Sequence, residues 1–237
     1  MRNTMAIAKR EFQSYVNSPI PYILVTAYIV TAGYMFFKQL FLPSAQADMR
    51  HFFENMPLLF CLIIPFVTMR LVAEERREGT LELLLTMPVT DWQLVGGKFL
   101  AALGLMGVLL LLTIAFPITV AYLGPLDKGV TVASYFGALL MSGAFVAIGI
   151  MASAFTRSQI VAALVAFFIG FALYLLGALI GVLPPSLAPL ASGLSIASHF
   201  MNISRGVIDT RDVLYYASII FVCLMVAQTT LDSRRWR

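Results

Sequence analysis

The 237-residue chain is 60% hydrophobic and 12% charged, about half the charge that soluble domains carry. That balance excludes a water-coated globule, and it equally excludes a disordered chain, which needs low hydrophobicity and high charge. What remains is an all-α polytopic membrane protein, a single transmembrane unit over residues 1–237, with no room for a separate soluble domain.

The N-terminal segment, residues 1–18, places Met5, Ala8, Phe12, Tyr15 and Pro19 three or four residues apart, with Asn3, Lys9, Arg10, Gln13 and Asn17 on the other faces. That spacing predicts an amphipathic helix lying in the headgroup plane. Charge-free windows then mark the spans. Residues 20–37 give span 1. Residues 55–69 give a shorter span 2 that contains Pro57 and Pro65 and is expected to kink near Pro65. Residues 99–126, with Pro117, give span 3, and 129–156 give span 4. From 158 to 204 there is no charge at all; Pro184, Pro185 and Pro189 divide this stretch into span 5 (160–183) and an external or re-entrant segment (187–208). Residues 213–231 give span 6. Ala45-Gln46-Ala47 resembles a signal cleavage site, but the apolar region before it is too long for a signal peptide.

Six spans put Arg2, Lys9, Arg10, Arg70, Arg76, Arg77, Lys98, Arg157, Arg234, Arg235 and Arg237 on one side. Lys38, Arg50, Lys128, Arg205 and Arg211 fall on the other. The positive-inside rule makes the first side cytoplasmic and places both termini there. A seventh span would carry the C-terminal arginines outside, against the rule. The net charge of +4 is therefore a topology signal and not a nucleic-acid signal. Cys61 and Cys223 each sit in an apolar stretch and read as buried free thiols.

Five of the twelve acidic residues, Glu74, Glu75, Glu78, Glu82 and Asp91, fall in the short stretch 74–91 between spans 2 and 3. Within residues 74–88, Leu81, Leu84 and Leu85 make a helical stripe with Glu82 opposite, interrupted by Gly79 and ended by Pro88. Thr90 with Gln93 fits a capping box, and Val89 with Leu94 the hydrophobic staple around it. The residues alone fit two readings: a solvated loop, or a short helix that docks into a cytoplasmic partner.

Glu74-Glu75-Arg76-Arg77-Glu78-Gly79-Thr80-Leu81-Glu82-Leu83-Leu84-Leu85-Thr86-Met87-Pro88-Val89, followed by Gly97-Lys98-Phe99-Leu100-Ala101, resembles the signature of type-2 ABC exporter permeases. His199-Phe200, Ser204-Arg205-Gly206-Val207-Ile208-Asp209 and Arg211-Asp212-Val213 are similar to the permease subunit of gliding-motility-associated ABC transporters. The resemblance implies a coupling helix at 74–88, with Glu74, Glu75, Arg76, Arg77, Gly79, Thr80, Leu81, Glu82, Leu84, Leu85 and Pro88 meeting an ATPase subunit. It implies a connecting helix at 1–18 (Lys9, Arg10, Phe12, Tyr15) and external helices carrying His199, Arg205, Gly206 and Asp209. It also implies two cytoplasmic ATPase copies holding ATP and Mg, a second copy of this permease or a related one, contact with membrane lipid, and residence in a bacterial inner membrane. An auxiliary periplasmic-facing subunit is compatible with it.

A phosphate loop needs G-x-x-x-x-G-K-[ST]. Gly96-Gly97-Lys98-Phe99 has Trp92 in place of the first Gly and Phe99 in place of the hydroxyl, so ATP hydrolysis is assigned to another polypeptide. Gly193-Leu194-Ser195-Ile196-Ala197 with His199 weakly matches a serine-hydrolase elbow. Two histidines and two distant cysteines match no metal-ligand spacing, so no metal is expected. The cores of spans 1, 3, 4, 5 and 6 hold no ionisable group, which fits a lipidic or amphipathic solute better than an ion-coupled carrier. A non-transporting membrane anchor or assembly factor for a cytoplasmic partner, or an ion-coupled secondary carrier, stays open as an alternative. Gly177 and Gly181 form a G-x-x-x-G pair for close helix contact.

Overall fold

In hydrocarbon a backbone must satisfy its own hydrogen bonds, so apolar runs of this length close into helices. The computed structural model describes residues 2–40, 49–80, 90–182 and 184–235, and among the described residues there is no strand. Helix α1 (Arg2–Asn17) precedes α2 (Pro19–Leu40), the first crossing. Helices α3 (Arg50–Thr68) and α4 (Arg70–Glu78) form the second, α5 (Asp91–Leu112) and α6 (Ala115–Leu123) the third, and α7 (Lys128–Phe155) the fourth. Helix α8 (Gln159–Ala178) is the fifth, α9 (Ala188–Leu194) and α10 (Ile196–Ile203) are short, and α11 (Thr210–Arg235) is the sixth. Among the described residues, six segments are long and apolar enough to cross a membrane.

Helix α7 is the axis of the bundle. It touches α3, α4, α5, α8, α10 and α11 and is the most deeply buried crossing. Small residues allow these close approaches. A Cβ on Gly149 would lie 2.6 Å from the Cβ of Thr68, and one on Gly137 would lie 2.8 Å from Ile203 Cγ2. The Asp127 side chain caps α7 by accepting from the Gly129 and Val130 amides at 3.0 and 3.1 Å.

The second crossing corrects the short span expected at 55–69. It runs from Arg50 to Glu78, 29 residues. A charge-free window stops at Glu54 and Arg70, whereas the helix continues because its end charges are paired: His51 with Glu54 at 2.9 Å and Arg70 with Glu74 at 2.8 Å. The regular helix is interrupted at Met69, one turn past Pro65, where the backbone stays helical and the Met69 amide donates to the Pro65 carbonyl. There the Ser153 hydroxyl of α7 donates to the Met69 carbonyl at 3.0 Å. It accepts from the Val72 and Ala73 amides at 3.2 and 2.9 Å. A side chain inserted into the helical ladder is a known cause of such breaks.

The third crossing breaks at Thr113–Ile114 for a different reason. Pro117 has no N–H to give the Thr113 carbonyl. That oxygen accepts instead from the Tyr135 hydroxyl of α7 and from the Phe116 amide, both at 3.0 Å.

The fifth crossing ends at Ala178, five residues short of the expected 183. Gly177 therefore does not pack with Gly181 along one helix. A Cβ on Gly177 would strike the Ser195 hydroxyl, while Gly181 lies past the helix end with nothing within 4 Å. In the segment 187–208, α9 and α10 have 7 and 8 residues, too short to cross a ~30 Å core at 1.5 Å per residue. Helix α10 buries Ile196, Phe200 and Ile203 against α3, α7, α8 and α11. Cys61 and Cys223 are free and buried.

Candidate functional site

Helix α1 leans along the first half of α5. A Cβ on Gly96 would lie 3.7 Å from Thr4, one on Gly97 2.6 Å from Ile7, and one on Gly104 3.6 Å from Phe12. The packed face is thus Thr4, Ile7, Ala8, Glu11, Phe12 and Tyr15; it keeps Ala8, Phe12 and Tyr15 of the expected stripe, while Met5 and Pro19 are exposed, and Lys9 is exposed as expected. A helix that packs on α5 is not one that lies only among lipid headgroups.

Glu11 points from this face to a buried lysine. The Lys98 side chain is 1% exposed; its Nζ lies 2.7 Å from Glu75 Oε1 and 3.5 Å from Glu11 Oε1. Arg10 completes the group, 2.9 Å from Glu11 and 3.9 Å from Glu75. One charge network therefore ties α1, α4 and α5 together at the end of the bundle that the basic residues assign to the cytoplasm. Buried ion pairs hold only when both partners stay in place, because a lone buried charge is costly.

Further bonds tie α1 and α4 to their other neighbours. The Tyr15 hydroxyl donates to the Val67 carbonyl at 3.1 Å, and burial holds this phenol well above its ordinary pKa, so it stays a neutral donor. Arg70 donates to Ser18 at 3.0 Å and to both oxygens of Glu74. Arg76 reaches the Ala154 carbonyl at 3.3 Å, which with Ser153 joins α4 to the inner end of α7. A cavity of about 480 Å³ lies between α1 and α4, walled by Arg10, Ser14, Arg70, Glu74 and Glu78 among others.

The structure thus brings together Glu74, Glu75, Arg76, Arg10 and Tyr15 of the sequence-derived set. Glu74–Glu78 form the last turns of the second crossing rather than the start of a separate helix. Gly79 caps that helix with φ +73, the left-handed conformation that favours glycine. The Thr80 hydroxyl bonds back to the Glu75 carbonyl at 3.3 Å, and Arg77 is exposed. Leu81, Glu82, Leu84, Leu85, Pro88 and Val89 lie outside the described residues. Past them the expected capping box is present: Thr90 and Gln93 exchange side chain-to-amide bonds at 3.4 and 3.3 Å.

Sequence reasoning missed Glu11 and Lys98 as functional residues. Both carried a signal. Glu11 is the acid on a face otherwise formed by Ile7, Ala8, Phe12 and Tyr15, and Lys98 is the lone charge between Asp91 and Asp127. A single charge on an apolar helix surface points to an inward partner.

At the opposite end, His199 Nδ1 lies 2.5 Å from Asp212 Oδ1 and its Nε2 3.2 Å from the Gly193 carbonyl. The ring stacks on Tyr215 at 3.9 Å. The Tyr215 and Tyr216 hydroxyls donate to the Leu194 and Ile196 carbonyls at 2.6 and 2.8 Å. These bonds fasten α9 and α10 to the start of α11. Asp209 accepts from the Arg211 amide at 3.0 Å, and Gly206 turns the chain with φ +89 against Val130. The hydrolase elbow fails on geometry. Ser195 is buried and caps α10 by accepting from the Ser198 amide, and His199 faces Asp212 and Gly193.

Among the described residues, six apolar crossings, the fourth of them central, with a charged brace at one end, define a multi-pass α-helical membrane protein. The profile of the ABC-2 family transporter proteins matches residues 5–228, nearly the whole chain, and the chain belongs to that family. No curated protein matches it. The family's domain is the membrane-spanning component of an ABC transporter; it lacks the ATPase site and implies an ABC ATPase subunit as partner.

Proposed function

We propose that this chain is the permease subunit of an ABC exporter in a bacterial inner membrane, moving a lipidic or amphipathic substrate. Two copies, or one copy with a related permease, pair with two ATPase subunits that hold ATP and Mg. The narrower likeness to gliding-motility-associated permeases rests on the His199–Val213 motifs, and an auxiliary periplasmic-facing subunit fits the same scheme.

The observation that carries this reading is the buried Glu75–Lys98–Glu11 network beside the charged segment 74–88. An ATPase that pushes on residues 74–88 pushes the end of the second crossing. Glu75 passes that displacement to α5 through Lys98 and to α1 through the same cation. Val72 and Ala73 pass it to α7 through Ser153. The first, second, third and fourth crossings then shift as a unit against the less buried α8 and α11.

The double replacement Glu75→Ala with Leu84→Ala tests this. The reading predicts a permease that inserts and assembles with its ATPase but no longer stimulates hydrolysis or moves substrate. Wild-type stimulation in that variant would refute it.

A further inference from the structure

His199 is the one titratable side chain of α10, and the permease reading gives it no part. Both of its ring nitrogens face oxygen: Nδ1 lies 2.5 Å from Asp212 Oδ1, and Nε2 lies 3.2 Å from the Gly193 carbonyl. A carbonyl oxygen only accepts, so Nε2 carries a proton. A neutral imidazole has a single N–H. The proton between Nδ1 and Oδ1 is therefore a second one, whether it sits on the ring or on the carboxyl. Either way the pair holds one proton more than a neutral imidazole beside a carboxylate, and the two groups titrate as a unit.

Burial makes that proton matter. The Asp212 side chain is 4% exposed, and among the described residues its Oδ2 is buried without a hydrogen-bond partner. With the proton the pair is neutral overall. Without it, Asp212 keeps a buried charge with no counter-charge, which is costly, and one ring nitrogen meets an oxygen with no hydrogen between them. The titratable side chains that face the pair are Tyr215, stacked on the ring at 3.9 Å, and Tyr216, edge-on at 6.5 Å. Their hydroxyls are occupied by the Leu194 and Ile196 carbonyls. Of the other helices packed on α10, α9 has no ionisable side chain and α8 has only Tyr174. The outer turns of α3 carry Arg50, His51 and Glu54, with His51 paired to Glu54, and α7 begins at Lys128. Arg205, Asp209 and Arg211, beside the start of α11, are exposed.

We propose that His199 and Asp212 form a proton-binding latch on the outer segment. With its proton, the pair ties α9, through Gly193, to α11, through Asp212. The closed arrangement needs the proton, so it is favoured in acid and lost as the pH rises. The proton then passes to the outer water through the part of the ring that is exposed, and α9 is left with the Tyr215 bond to Leu194. α10 stays seated by Ile196, Phe200 and Ile203. The latch stands whatever the chain transports.

The test uses the full chain in nanodiscs, spin-labelled through Leu190→Cys on α9 and Leu214→Cys on α11, both exposed sites. The label distance is read from about pH 5 to about pH 9, a span that covers the charge change of histidine. In acid one short distance is expected; toward the alkaline end the separated population grows about tenfold, the scale of one lost charge-assisted bond. His199→Gln loses this pH step. Asp212→Asn separates a proton site from a plain ion pair. The asparagine amide donates to Nδ1 of a neutral ring and leaves Nε2–H for Gly193, so the labels stay together across the whole span; a plain ion pair would let them part throughout. The chain has two histidines, so in a His51→Gln background the ring-nitrogen resonances report His199 alone and should change together with the distance. A distance that ignores pH, a step that survives His199→Gln, labels apart in Asp212→Asn, or a ring that titrates while the distance stays fixed overturns the proposal.

Discussion

Replacing Lys98 by methionine removes the cation at the centre of the inner network and keeps the stem's volume. Glu11 retains Arg10 at 2.9 Å, but Glu75 is left with Arg10 at 3.9 Å, on a side chain that is 55% exposed. Deleting one partner of a buried pair costs ~3–5 kcal/mol. The remaining Arg10 contact and the 17% exposure of the Glu75 side chain put this case near the lower bound, about 3 kcal/mol. That loss is about two decades in the folded fraction at ~1.4 kcal/mol per tenfold. Glu75→Leu alone strands Lys98 on Glu11 at 3.5 Å and destabilises by a similar amount. The double variant leaves no stranded charge, because Glu11 and Arg10 still pair; swapping a buried ion pair for apolar residues is often neutral. A double-mutant cycle, read by unfolding in mixed micelles, should therefore give a coupling of about 2 kcal/mol or more. Additive losses, with the double variant the least stable of the three, would refute the claim that Lys98 and Glu75 act as one unit.

Ser153→Ala leaves the Val72 and Ala73 amides without their hydroxyl acceptor and should destabilise by about 1–3 kcal/mol, seen as a lower thermal transition. Gly97→Leu drives a side chain into Ile7; limited proteolysis should then cleave within α1, which the wild type protects. Tyr135→Phe removes one of two donors to the Thr113 carbonyl and should cost about 1 kcal/mol, with the Phe116 amide still in place. His199→Ala exposes the buried Asp212 carboxylate to an unpaired state; a cysteine placed at Ser195 should become reactive to an external thiol reagent.

The crossings were legible because bilayer thickness and missing charge act on long segments, and the positions of α2, α7 and α11 follow from them within a few residues. The second crossing was not, because a window that stops at each charge cannot see that Glu54 and Arg70 are paired along their own helix. The break at Met69 was invisible for a related reason: its cause, Ser153, is about eighty residues away in sequence. Pro117 stood in view inside the third crossing, but neither the break there nor the part Tyr135 plays in it was read from the sequence. On α1 the spacing gave the packed face in its middle, Ala8, Phe12 and Tyr15, but not Ile7 and Glu11, because Gly96, Gly97 and Gly104 on α5 choose which residues can approach. The inner network lay half in view: Glu74, Glu75 and Arg76 stood out by density, whereas Lys98 and Glu11 matter through where they point.

The central claim is that this ABC-2 family chain works as a permease driven through its inner charged end by a separate ATPase. Its most direct test is the mass and composition of the particle purified in mild detergent from the native membrane. The account predicts an ATP-hydrolysing subunit in equal number with the permease, in a complex near two of each, whose hydrolysis falls in Lys98→Met. A chain that purifies alone, or with a partner that does not hydrolyse ATP, would contradict it.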